Sequence, residues 1–387
     1  MNMTSTKTLI SFSLLDGLYW AFASTFTGFI ATYLLECGMS NSFLSIVLAV
    51  FMGCSFAGSF FWGSKCDKCH TNRKIFLFEY AAAVILSIVI FFMAKVNLWI
   101  AAGLYPIFGF LYAPLGSNLD AWMIKSFNHD SGKYGKARSV GSMGWAIAAL
   151  IIGFLISSHG YIVMPIGIVL FALPVLILAY VMNEPEYGGE PEHIEKVSTA
   201  GLIKIKPYIY MIIILFLTGL ACAPINNLKI VFIKAVGGNV SILGVDSFIG
   251  VTIQAIFIFL SGRLRKIPSY VRMSVMTVCV VLDLLLILLA TTPFMIIFGS
   301  VMWNASYGIM LPTVRELTEK NVNGALKNTA HSMSDAMYGS FAGIIALTYS
   351  GIMLDEFGAK FVALLGIIVM LAPVMMAVIG MLREKNE

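Results

Sequence analysis

A chain of 387 residues that is 59% hydrophobic and only 12% charged is not an ordinary soluble protein, since such domains run at about half apolar and a quarter charged. Many of its apolar runs reach about 18 residues or more, enough to cross a bilayer as a helix. The net charge of +5 is spread over short loops, so no nucleic acid partner is expected, and no soluble stretch is long enough to form a binding module. A chain in lipid must pair its backbone groups within each segment, which makes the expected fold class an all-α membrane protein with the lipid bilayer as its solvent.

Twelve spans are predicted, near residues 8–35, 42–63, 74–94, 97–124, 138–157, 161–182, 208–233, 240–261, 270–290, 293–314, 328–354 and 360–382. The first apolar run starts near Leu9 and is long enough to read as a span rather than a cleaved signal. Within it, Asp16, Tyr19 and Trp20 stand at i, i+3 and i+4, on one helical face. The two aromatics are candidates to line a solute cavity, with packing as the alternative. Asp16, near the predicted helix start, is one of the polar groups inside spans that count as functional candidates, with a solvated helix end as the alternative.

The loop after span two reads "GSKCDKCHTNRK". Gly63, Asp67, Lys68 and Arg73 are expected to form a latch between neighbouring helices. Its "CDKCH" has the spacing of c-type haem attachment, but a loop of about ten residues offers no haem pocket, and three local ligands fall short of a zinc site. Neither metal nor cofactor is expected. Glu79, in span three, is expected to pair with Arg73 and Lys74. The remaining cysteines are scattered, mostly in apolar spans, and read as small buried residues.

Spans four and five form the best constellation. As an antiparallel hairpin they bring Asp120 level with Arg138, and pairing reduces the cost of placing both ions in the membrane. Arg138, Gly141, Ser142 and Trp145 fall at i, i+3, i+4 and i+7. One face thus carries a guanidinium, a space, a hydroxyl and an indole. Arg forks donate to vicinal oxygens and an indole stacks on an apolar sugar face, so the wall suits a polyhydroxylated ring. A snorkelling Arg and an interfacial Trp are the bland alternative, which leaves the level acid unexplained.

Residues 183–207 are polar and read as a cytoplasmic linker between six spans, in 1–182, and six more, in 208–387. The halves echo each other at an offset of about 198: Gly153 and Gly160 against Gly351 and Gly358, and Gly63 against Gly262 at 199. Two halves with a site between them at mid-membrane describe a secondary transporter. In the second half Asn226 and Asn304 are candidates to bind the solute. Asp283, then Asp246 and Asp335, are candidates to carry a coupling proton, with Lys229 as a possible ionic partner for Asp283. Termini and even-numbered loops, counting residues at helix ends, hold 21 of the 25 Lys and Arg, which predicts cytoplasmic termini in a cytoplasmic membrane.

The span-two loop resembles the loop signature of the major facilitator superfamily, with Gly63, Asp67, Lys68, Arg73 and Lys74 in place and His70 where that pattern has Gly. "YGKARSVGSMGWAIA", with an acid 18 residues before its Arg, closely resembles helices four and five of the oligosaccharide:proton symporters typified by the lactose permease. The resemblance implies a fold of two six-helix bundles. It also implies that Asp120 and Arg138 hydrogen-bond a sugar on which Trp145 stacks. The carboxyl half departs from that family. Span ten, "FGSVMWNASYGIMLP", lacks the family's His and Glu, so its proton machinery does not carry over. The expected function is proton-coupled uptake of a small polar solute such as a sugar or glycoside, by a monomer, with Na+ as the alternative ion. Drug or metabolite efflux, or an aromatic acid or nucleoside permease, is the competing reading. An enzyme is not expected: no span carries HExxH, and no loop carries a P-loop or nucleophile elbow.

Overall fold

The computed structural model describes residues 3–128, 130–185, 200–322 and 326–386. Its elements are α1 (Met3–Thr27), α2 (Ile30–Glu36), α3 (Asn41–Cys69), α4 (Arg73–Val96), α5 (Leu98–Ser126), α6 (Ser131–His159) and α7 (Val163–Val181). There follow α8 (Ala200–Ile203), α9 (Lys206–Asn227), α10 (Lys229–Ala235), α11 (Val240–Phe259), α12 (Ser261–Leu264), α13 (Ser269–Leu288) and α14 (Pro293–Asn321). The chain ends with α15 (Lys327–Ala336), a π-helical turn (Met337–Phe341) and α16 (Ala342–Asn386). Among the described residues, eleven helical stretches are long and apolar enough to cross a bilayer. The last, Thr329–Glu384, is two spans, because Gly358 (φ 79°, ψ 177°) breaks it. The expected twelve spans are thus present, as two six-helix bundles.

By contacts the chain divides into Met1–Gly189 with Val240–Phe248, and Glu190–Asn239 with Ile249–Glu387. The first unit therefore takes in the opening residues of α11. The expected linker 183–207 shrinks at both ends, its middle, 186–199, lying outside the described residues. Glu184 binds back to the first unit, and Leu202 is buried in the core of the second beside Tyr208, Met211 and Met273.

The two units share a set of backbone devices at a nearly constant offset. In the first, the opening span breaks at Phe29 (φ −126°, ψ −8°), and in the second at Leu228 (φ −115°, ψ 24°). The short helix after each break ends in a left-handed glycine, Gly38 (φ 97°) and Gly237 (φ 79°), the residue type that adopts this conformation without steric cost. The last two spans of each unit are joined by Gly160 (φ 76°, ψ −179°) and Gly358 (φ 79°, ψ 177°), a backbone region open essentially to glycine alone.

Each unit also ties its third span to the end of its sixth with a glutamate. Glu184, just past α7, accepts from the backbone N–H of Asn72 (2.5 Å) and Arg73 (3.2 Å) at the start of α4. Glu384, near the end of α16, accepts from the N–H of Ser269 (3.1 Å) and Tyr270 (2.8 Å) at the start of α13. In both cases a carboxylate meets the unpaired donors and positive pole of a helix N-terminus.

Helix α7 illustrates how the spans meet lipid. Met164, Ile168, Val175 and Ala179 face the bundle and are buried, while Ile166, Leu170, Leu173 and Ile177 stand exposed at helical spacing. Apolar residues on the outside are what a lipid solvent permits.

Candidate functional site

The site is built on α1, α5 and α6. Helix α6 begins at Ser131, seven residues earlier than the predicted span, because Asp130 caps it. Its Oδ1 accepts from the N–H groups of Gly132 (3.0 Å) and Lys133 (3.1 Å), and the Lys133 N–H holds this carboxyl below its ordinary pKa. The extra turns place Arg138 two turns inside the helix instead of at its end.

Arg138 is shared between two acids. Its NH1 lies 3.6 Å from Asp16 Oδ2, and its Nε lies 3.7 Å from Asp120 Oδ1. These are ion-pair distances, longer than the roughly 2.7–2.9 Å of a charge-assisted hydrogen bond. NH1 has no hydrogen-bond acceptor among the described residues. The guanidinium also lies over the Trp20 ring, its Cζ 4.5 Å from the centroid, a cation–π arrangement. Trp20 meets Trp145 edge-on, with centroids 5.9 Å apart and planes at 62°. Tyr134, one turn before Arg138, lies within hydrogen-bonding reach of Asp120. Arg138 and Asp120 are each about one-third exposed, whereas Asp16 is sealed at 1%.

Close approach of α1 to α6 makes this possible. A methyl group on Gly141 would overlap Asp16 Oδ2 and come within 2.7 Å of Trp20 Cδ1. One on Gly144 would overlap the Gly17 carbonyl oxygen. The "GSMG" of α6 is therefore the groove in which the Asp16 carboxylate and the Trp20 indole lie.

Several expectations need correction. Asp16 is not a solvated group near a helix start: α1 begins at Met3, which puts Asp16 mid-helix and buried. Tyr19 does not line the site. It is buried against Trp20, Phe76 and Tyr80, because a neighbour one step from Trp20 is turned about 100° around the helix. Glu79 does not pair with Arg73 or Lys74. It sits buried within α4, where Asn118 Nδ2 donates to Oε2 at 2.6 Å. The Asn118 oxygen in turn accepts from the Cys66 thiol at 3.3 Å, so that thiol faces into the bundle while Cys69 is exposed.

Among the expected latch residues whose side chains are described, Arg73 makes a tie. Its Nε donates to the Ala179 carbonyl at 2.8 Å and NH2 to that of Tyr180, so it fastens α4 to α7. Gly63 has open space at its Cα and Lys68 is exposed. The side chain of Asp67 lies outside the described residues. Ser142 is half-buried on the Arg138 helix.

In the second unit Asn226 is half-buried, and Asn304 is buried with its amide donating to the Ser300 carbonyl at 2.8 Å. Lys229 does not sit within a continuous span: it opens α10, just past the break, and donates to Ser300 Oγ at 2.5 Å. Asp283 is buried on α13 beside Gly299, one residue from Ser300. Asp246 is buried in the part of α11 that groups with the first unit. Asp335 is not buried: half-exposed, it pairs with Arg315 at 2.6 Å.

That last pair mirrors the first site with its charges exchanged. Asp120 and Arg315 hold the same ordinal place in α5 and α14, and Arg138 and Asp335 nearly the same in α6 and α15. The sequence pairs Asp120 with Arg138 and offers Asp335 alone, while Arg315 carries no signal of its own; helix starts aligned on Asn97 and Thr292 reveal the exchange.

A sequence model of the MFS_1 like family matches residues 9–365. A maltose permease of Geobacillus stearothermophilus is 22% identical over 350 residues, 88% of this chain and 86% of that protein. Among solved structures, the nucleoside transporter NupG superposes with a TM-score of 0.82 at 15% identity, over 98% of each chain. A D-xylose-proton symporter does so with a TM-score of 0.66 at 15% identity, over 95% of this chain and 96% of that one. At such identities the structural likeness speaks for the fold.

Proposed function

The chain belongs to the MFS_1 like family and is a secondary transporter of the major facilitator type, and from the residues around Arg138 we propose that its cargo is a small polar solute, a sugar or glycoside first. The observation that carries this reading is the state of Arg138. Its guanidinium is fixed by two carboxylates at ion-pair distance and one indole, yet its N–H fork is not consumed by short hydrogen bonds. A fork held in place with donors to spare is prepared to receive vicinal hydroxyls. Asp120 beside it supplies an acceptor, and Trp145 and Trp20 supply apolar faces for the ring. Ser142, Asn226 and Asn304 are proposed as further polar contacts.

The maltose permease relative favours a sugar. The NupG likeness makes a nucleoside the second class to test, since a base and a sugar ring both stack on an indole. Uptake is proposed to be coupled to protons, with Na+ as the alternative. The distribution of Lys and Arg supports a multi-pass protein of the cytoplasmic membrane with both termini in the cytoplasm.

The test is a thermal-shift screen of purified protein against sugars, glycosides, nucleosides and aromatic acids, because a ligand of the folded state raises apparent stability by mass action. A saccharide is expected to stabilise the wild type but not Arg138→Ala. Expression of that variant should stay normal while its uptake is abolished. Wild-type uptake by Arg138→Ala would remove the site assignment.

A further inference from the structure

Around Arg138 the charges do not balance. Asp16 and Asp120 both approach a single guanidinium. The charged or titratable groups facing Asp16 are Tyr19 on its own helix, Arg138 and Tyr134 from α6 and Asp120 from α5. Helix α7 brings none to it, its single titratable residue, Tyr180, lying in its last turn, and Glu36 and Tyr33 of α2 lie more than four turns away along the chain. With every group in its ordinary state the cluster has one negative charge too many. Asp120 is partly open to solvent and can keep its charge there. Asp16 is sealed; the Trp20 indole N–H and the Arg138 fork come within reach of it, but neither of its oxygens has hydrogen-bond geometry to a donor among the described residues. A dry carboxylate is tolerated only while a cation answers it.

The second unit shows the balanced version. Its charge-exchanged counterpart, Arg315 with Asp335, is one acid to one cation, and the residue at the place of Asp16 after the 199-residue offset is Leu215, buried in an apolar core. The surplus acid is therefore particular to the Arg138 site.

We propose that Asp16 carries the coupling proton. This rests on the transporter reading above and places the coupling group in the solute site, in preference to Asp283. Without solute, Arg138 answers both acids. When solute hydroxyls draw its fork toward themselves and Asp120, Asp16 loses its share of the cation and takes a proton from bulk water onto a carboxylate oxygen. Arg138 stays cationic throughout. Departure of the solute returns the guanidinium and releases the proton. Solute and proton thus favour each other's binding, and by linkage the coupling is reciprocal.

Two measurements on the full-length protein test this. The first needs no solute: tryptophan fluorescence is followed against pH, because Trp20 touches both Arg138 and the Asp16 groove. A step is expected in the wild type, absent in Asp16→Asn. In Asp120→Asn it should move to lower pH, since one acid then faces one cation. A step that survives unchanged in Asp16→Asn, or that does not move in Asp120→Asn, overturns the proposal. The Asp120 arm decides the matter even if Asp16→Asn fails to fold. The second uses proteoliposomes with maltose, xylose and uridine as probes. Asp16→Asn should lose at least about tenfold of the accumulation driven by a pH gradient, a far larger fraction than it loses of counterflow. If Asp283→Asn loses accumulation and Asp16→Asn keeps it, the proton belongs elsewhere. If the wild type moves none of the probes, the solute reading fails, and the fluorescence titration still judges Asp16.

Discussion

Gly141 carries more of the site than its lack of a side chain suggests. It is the floor on which the Asp16 carboxylate and the edge of Trp20 rest, and neither can withdraw, because α1 is packed on α6 along Gly17 and Gly144. Gly141→Ala should therefore lower stability by about 1–3 kcal/mol, the usual range for overpacking, and also weaken solute binding by displacing Trp20. Thermal unfolding with and without solute measures both effects; an unchanged melting temperature would show that the helices are not so close. Arg138, Asp120 and Trp145 were legible from spacing alone, because helical periodicity and a hairpin fix which residues share a level. Asp16 was not. Its meaning depends on where α1 starts, and the five residues before the first predicted span gave no apolar signal for an earlier start. Tyr19 was misjudged for a related reason: apolar aromatics look the same whether they line a cavity or fill a core.

Single helices show how their ends are made. Glu184 and Glu384 each lie outside the helix whose N-terminus they satisfy, at the far end of the same bundle in sequence. Replacing either by Ala should cost about 0.5–2 kcal/mol, the range of a lost N-cap. The loss should be local. Hydrogen exchange is expected to quicken at the amides of Asn72 and Arg73 in Glu184→Ala, and at those of Ser269 and Tyr270 in Glu384→Ala, with little change elsewhere. Uniform acceleration across a bundle would instead mark these residues as core supports. Such long-range caps leave no motif of their own in the chain, since a glutamate after the last apolar run reads as an ordinary polar flank. Start signals close in sequence fare only a little better. Asp130 caps α6 locally, yet the predicted span begins at Arg138, because "SGKYGKA" is helical in structure while carrying too little apolar character to mark a membrane span.

Across the whole molecule, the twelve spans and their division into six and six follow from hydropathy, because lipid leaves helices as the available solution. The internal repeat was visible only through glycines, and the structure explains why those residues report it. Gly160 and Gly358 occupy one backbone region that side chains avoid, so the same residue type is required at both turns. Each substituted by Ala should destabilise the protein by about 1–3 kcal/mol, and by similar amounts, as read by thermal unfolding of the two single variants. A silent substitution at one of them would mean that the two turns are not equivalent.

The exchanged charges on the two units have an historical consequence. An ancestor that doubled a six-helix unit would have inherited turns, breaks and capping glutamates twice over, and drift at any of these costs stability. Charge inside the bundle was under no such restraint. One copy now holds an acid where the other holds a base, and one holds a second carboxylate on a shared cation where the other has Leu215. Descendants of such a duplication can change what they carry, and what drives it, by altering a handful of intramembrane residues while the scaffold stays fixed.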